Sequence, residues 1–347
     1  MSAAEAANTP LPVSLPFEQT LYERSPVGTL ATTAILFVLM FGSFVVLALA
    51  WHVPMTARTV AGFTSLAAWP ALVLSLLCCT ALAMQRYARL WEVRDAPAYA
   101  RILTGGMASA RIFTSLAPRD LKVGPATVAG VAIGLVLSVL IRVAENGEGH
   151  PIPPGPMIWF ALATIFLTVL FTRGAAQTRA GGQAAARTLA AELKIDLLRT
   201  DTMAVLGRSA ARTALIWFVV SAVACLFFVN GDLNWLTILL VVSSVAMGLA
   251  VFVSIMSRIH RQIVAVKTAE LEHVRRQIDD ARARMLQDDH AAVRMHGLLA
   301  YEKRIEDAQE WPFDQSTLVR VAAYVLIPTI PWFGQAVVQY YVDHLAH

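Results

Sequence analysis

Three threonines carry the first chemical possibility in this chain. Thr164, Thr168 and Thr172 recur at every fourth position of "PMIWFALATIFLTVLFT", a spacing that stacks their hydroxyls on one face of a helix. Aligned hydroxyls can replace part of the hydration shell of an ion or small solute and so line a water-filled path. They can equally donate to the carbonyl one turn back and pack against a neighbouring helix. Ser221, Ser243 and Ser244 lie in other apolar stretches and are further candidates for the same path.

The remaining chemistry is sparse. Asp343, His344 and His347 have metal-like spacing, but a site needs three or four converging ligands, and terminal polar residues account for them. The sequence contains no HExxH, no GxSxG and no GxxxxGK[ST], so no catalytic residue, cofactor or metal is expected, and the chain does not read as an enzyme. Cys78, Cys79 and Cys225 all fall in apolar stretches and read as small packing residues rather than as a disulfide framework.

The elements that must position these residues are membrane helices. Of 347 residues, 57% are hydrophobic and 15% charged, with a mean hydropathy of +0.58, a composition foreign to soluble domains. Apolar windows occur at 29–50, 66–85, 124–142, 156–172, 213–230 and 235–257, each close to the roughly 20 residues a helix needs to cross a bilayer. A seventh window, Leu318 to Val338, contains Pro328 and Pro331, which would kink a spanning helix over 317–341 rather than end it. All of the 24 acidic residues lie outside these windows, which argues against a proton- or sodium-coupled transporter.

Basic residues set the orientation. Of the 28 Lys and Arg, 25 fall within 86–122, 173–212 and 258–320, three alternate connections that must share one side. The positive-inside rule makes that side the cytoplasm. The N-terminus is then inside, and the C-terminus, after a seventh crossing, outside. Residues 1–28 hold one basic residue, Arg24, and four prolines, and read as a cytoplasmic leader rather than a cleaved signal peptide. A net charge of +4, spread through such segments, points to anionic lipid headgroups and not to nucleic acid.

Two patterns suggest association. Ala126, Gly130, Gly134 and Ser138 repeat every fourth residue, as do Ala71, Ser75, Cys79 and Ala83, and such small-residue faces admit close helix approach within a chain or between subunits. After the sixth window, Leu271, Val274, Ile278, Ala281 and Met285 follow heptad spacing, with Lys267 in one slot where an apolar residue is expected. The pattern stops near "QDDH" at 287–290, and a second amphipathic stretch with Leu298, Tyr301, Ile305 and Ala308 follows. An antiparallel, coiled-coil-like hairpin over 258–310 is expected, its seam closing within one chain or between subunits.

The expected architecture is thus all-α: a polytopic helical bundle over 29–257 with two basic cytoplasmic loops, 86–122 and 173–212, a cytoplasmic hairpin, and a kinked seventh helix. The first functional expectation is a passive channel of the inner membrane, homo-oligomeric and gated or assembled from the cytoplasmic side. The alternative is a membrane-anchored scaffold or signalling subunit that binds a cytoplasmic partner through 258–310.

Overall fold

A computed structural model describes residues 17–53, 68–114, 123–147, 153–194, 203–227, 235–284, 289–311 and 315–326. Among the described residues the chain is all-α, with ten helices and no strand, and six of the helices are long and apolar enough to cross a membrane. They are α1 (Phe17–Glu23), α2 (Thr29–Ala50), α3 (Ala68–Ile102), α4 (Gly106–Thr114), α5 (Val123–Gly147), α6 (Pro154–Glu192), α7 (Ala204–Cys225), α8 (Trp235–Arg284), α9 (Asp289–Glu306) and α10 (Gln315–Leu326).

Helix ends follow from local chemistry. α2 begins after Pro26 and ends where His52 takes a positive φ of 51°. The Val53 amide then donates to Ala48 O at 2.9 Å and the His52 amide to Leu49 O at 3.2 Å, so a left-handed residue pairs carbonyls that the helix leaves open. Gly106 (φ +58°) supplies the same left-handed geometry at no steric cost between α3 and α4. Beside it, Lys194 N donates to Ile102 O at 2.8 Å and Thr104 N to Glu192 O at 2.9 Å, which fastens the end of α3 to the end of α6.

The chain divides into two compact units. The first comprises Met1–Leu90 and Ser115–Gly181. Its packing includes a cluster of Tyr22, Ala81, Leu82 and Leu170 and an aromatic group in which Phe44 meets Trp159 and Phe160 edge-on at 5.1 and 5.5 Å. The Trp159 indole N–H donates to Ser43 Oγ at 2.9 Å, giving the ring's polar atom a partner within the apolar layer. The second unit comprises Trp91–Thr114 and Gly182–His347. Its core joins Tyr99, Ile102, Met203, Leu206, Ala210, Phe218, Phe252, Met256, Ile259 and Val321. Gly248 lets α8 approach α7: a Cβ there would stand 3.1 Å from Trp217 Cβ and 3.2 Å from the Phe218 ring.

Three expectations need correction. Residues 86–102 and 173–192, read as parts of basic loops, continue α3 and α6 as helix. Stretches such as "QAAARTLAAE" are built from strong helix formers, so the helices outrun their apolar windows, even through Pro97. The fifth span is not 213–230 but Ala204–Cys225, because "AVLGRSAARTAL" is helical before it is strongly apolar. Part of the leader, Phe17–Glu23, is a short helix. Of the proposed seventh span, α10 covers Gln315–Leu326; Pro328 and Pro331, like Met285, lie outside the described residues.

Candidate functional site

The threonine stripe belongs to a helix–helix contact in the first unit. Arg173 donates to Thr127 Oγ1 at 3.3 Å and Thr168 to Gly130 O at 2.8 Å. Residue numbers rise along α5 as they fall along α6, so the two helices are antiparallel. A Cβ at Gly130 would fall 2.6 Å from Val169 Cα and 2.5 Å from Thr172 Oγ1, and one at Gly134 would fall 2.6 Å from Ile165 Cα and 2.5 Å from Thr168 Oγ1. Glycine is therefore what allows the two backbones to meet.

The hydroxyls are satisfied there. Thr168 Oγ1 also lies 3.0 Å from Thr164 O and 2.9 Å from Ile165 O, and Thr172 Oγ1 lies 2.9 Å from Thr168 O. The threonine stripe is thus bonded to its own helix and packed on α5 at Thr168 and Thr172, and Thr164 is half-buried. Ser221, Ser243 and Ser244 are in the second unit: Ser221 is buried on α7, Ser243 is exposed on α8, and Ser244 is a helical position of α8.

Both small-residue faces turn inward. Gly130 and Gly134 meet α6, with Ala126 and Ser138 half-buried on the same helix. Ala71, Ser75 and Cys79 are buried and Ala83 half-buried within the first unit. Gly130, Gly134, Ala71 and Ser75 are covered within one chain, while Cys79 also lines an open groove.

The second unit carries the hairpin. α8 runs unbroken from Trp235 to Arg284, about 75 Å at helical rise, and α9 returns antiparallel along its second half. Val274, Ala281 and Ile305 are buried in the seam, while Leu271, Ile278, Leu298, Tyr301 and Ala308 are half-buried. Arg275 straddles two carboxylates, donating from Nε to Glu302 at 2.7 Å and from Nη2 to Glu306 at 2.9 Å. Tyr301 donates to Glu270 at 3.1 Å. At the returning end, the His260 ring stacks on Trp311 with centroids 4.1 Å apart. The seam closes between α8 and α9 of the same chain.

One constellation escaped the sequence reading. In the second unit, the guanidinium groups of Arg94 and Arg212 lie 4.7 and 4.6 Å from the Trp91 ring centre, and Arg212 forms an ion pair with Asp95, Nη2 to Oδ2 2.6 Å. Tyr99 lies one turn beyond Asp95 and is 1% exposed. Cation–π contact and ion pairing hold α3 to α7 where both helices have become charged. The signal was the spacing of Trp91, Asp95 and Tyr99 at four-residue intervals, which becomes visible once 86–102 is taken as helix.

Among the described residues no group of three or more His, Cys, Asp or Glu could hold a metal ion; His344 and His347 lie outside them. No family model matches the chain, and no curated protein or solved structure does.

Proposed function

We propose that this multi-pass membrane protein is an inner-membrane anchor that presents its α8–α9 hairpin to the cytoplasm as a docking arm for a protein partner. The observation that carries the reading is the continuity of α8 from an apolar segment into a charged one whose seam is closed by its own α9. A closed seam leaves the outer faces of the arm available, and on them Val293 and Leu299 are 75% and 46% exposed. The distribution of Lys and Arg supports a cytoplasmic position for the arm. A channel, the first expectation from sequence, is favoured less because Thr168 and Thr172 are engaged with α5 and their own helix.

The test combines two measurements on the full-length protein. A photo-crosslinking residue at Val293 should capture one protein partner in cells, with capture lost when Ile305→Asp opens the seam. Purified protein in liposomes should pass no ions under varied salts and voltages. Sustained ion flux, with no crosslink from the arm, would overturn the docking reading in favour of a channel.

A further inference from the structure

The first unit contains an open apolar groove at one end of the bundle. One lobe, of about 410 Å³, is lined by Phe17, Leu21, Arg24, Ser25, Thr32 and Leu36 among others. A second, of about 330 Å³, shares Phe17, Leu21 and Leu36 and continues past Met40, Cys78, Leu82 and Phe166. From Thr32 to Met40 the groove follows α2 for about 12 Å at helical rise. Its walls are almost wholly apolar, and its polar groups gather at the α1 end.

The short helix α1 is anchored through Tyr22 and Glu23. Tyr22 is buried against Ala81, Leu82 and Leu170 and its hydroxyl lies 3.1 Å from Thr33 Oγ1. Glu23 pairs with Arg86 at 3.1 Å. These contacts fix α1 beside α2 and α3 while Phe17, 60% exposed, overhangs the groove. Glu23 thereby neutralises Arg86. Arg24, the next residue, is exposed, and among the described residues no carboxylate is paired with it.

We infer that this groove binds one anionic phospholipid, with an acyl chain along Leu36, Leu39 and Met40 and the phosphate at Arg24. Two features select that occupant. The groove opens beside α2, a membrane-spanning helix that is exposed along most of its length, with Leu39 at 65% and Val38 at 65%, so lipid tails are the apolar groups that can reach it. At the polar end the cation is a guanidinium, whose planar donors match phosphate oxygens; the neighbouring Ser25 and Thr32 hydroxyls, 2.7 Å apart, are engaged with each other, and Thr32 also with Val27 O and Gly28 O, each at 3.2 Å, which leaves Arg24 as the donor. Charge complementarity therefore favours an anionic headgroup over a zwitterionic one.

Native mass spectrometry of the full-length protein, titrated with phosphatidylglycerol or phosphatidylcholine of matched chains, tests the site. Phosphatidylglycerol should be retained preferentially. Arg24→Ala should lower its affinity about fivefold, the effect of one interfacial basic residue, toward that of phosphatidylcholine. Arg24→Lys should keep most of the preference, and Arg142→Ala, distant in sequence from the groove, should keep all of it. Leu39→Trp, which fills the groove at an exposed position, should reduce retention of both lipids. Unchanged phosphatidylglycerol binding in Arg24→Ala overturns the proposal. So does a rise in lipid occupancy after removal of residues 1–16, because the chain's own leader would then be the groove's occupant.

Discussion

Lys267 Nζ lies 2.7 Å from the carbonyl oxygen of Glu306, and the same ammonium reaches Ala308 O at 3.1 Å and the Glu310 carboxylate at 3.2 Å. A lysine in a slot where the heptad calls for an apolar residue thus closes the C-terminal end of the facing helix. The last carbonyls of a helix have no partners within it, and a cation is favoured there by the helix dipole. The side chain is 12% exposed, so its stem is covered while all three donors are used. Lys267→Met keeps the stem and removes the donors. It should weaken the hairpin by about 1.5–3 kcal/mol, the range for bonds to a charged group. Faster amide hydrogen exchange over 300–311 would register the loss; unchanged exchange would show that water replaces the ammonium without cost.

Arg275 makes bonds of similar length to Glu302 and Glu306 but is largely exposed. The Glu302 hydrogen bond and charge, with Glu306 adding to them, raise its pKa further above the ordinary value, so the cation persists at any working pH and salt is the effective lever. Arg275→Ala should destabilise the hairpin only slightly, and progressively less in high salt. Ile305→Ala, at a position with no exposure, should cost about 2–5 kcal/mol at any ionic strength. Denaturation of the two variants at low and high salt separates the terms, and an equal salt response would contradict the assignment.

At the α5–α6 contact the glycine should matter more than the hydroxyl. Gly130→Val drives a side chain into the Val169 backbone, 2.6 Å from where its Cβ must sit, and overpacking of this kind costs about 1–3 kcal/mol or more. Thr168→Val keeps the shape and removes one interhelical bond, worth about 0.6 kcal/mol on average in membranes. Thermal unfolding in mild detergent should therefore rank Gly130→Val as much the weaker protein. The reverse order would return Thr168 to a role beyond packing.

What the sequence disclosed here was periodic. The first span, Thr29–Ala50, coincides with its window because Gly28 and Trp51 bound an uninterrupted apolar run. The hairpin was legible because "QDDH" separates two amphipathic stretches, and Lys267 was visible as an exception. Apolarity does not report where a helix stops once it leaves the bilayer, so α3 and α6 were cut short at Gln85 and Thr172 and the pairing of Arg212 with Asp95 and Trp91 was lost with them. The threonine stripe shows a different limit. Its spacing was correctly read, but whether a stripe meets water or glycine depends on which helix lies opposite, and Gly130 and Gly134 are about 38 residues away in a segment with the same period.

The last prediction concerns the end of the chain. α10 begins at Gln315, packs against α7 and buries Val321 in the core of the second unit, so the chain has been brought back beside a membrane helix when its apolar run begins. As continuous helix that run, Leu318 to Val338, would be about 31 Å long, enough to span the hydrocarbon core. In such a helix Pro328 and Pro331, three residues apart, would place both kinks on one side, where neighbouring helices could satisfy the freed carbonyls. Tyr340 and Tyr341 would then fall at interfacial depth, and "VDHLAH" carries no Lys or Arg, as expected of a translocated end. Were the N-terminus inside, as the distribution of Lys and Arg predicts, six crossings and a seventh over this run would put the C-terminus outside. Alkaline phosphatase fused after His347 should be active, and a fluorescent protein that matures only in the cytoplasm should be dark at the same position. The opposite pair of results would mean that the run turns back at the prolines and that both termini share the cytoplasmic side.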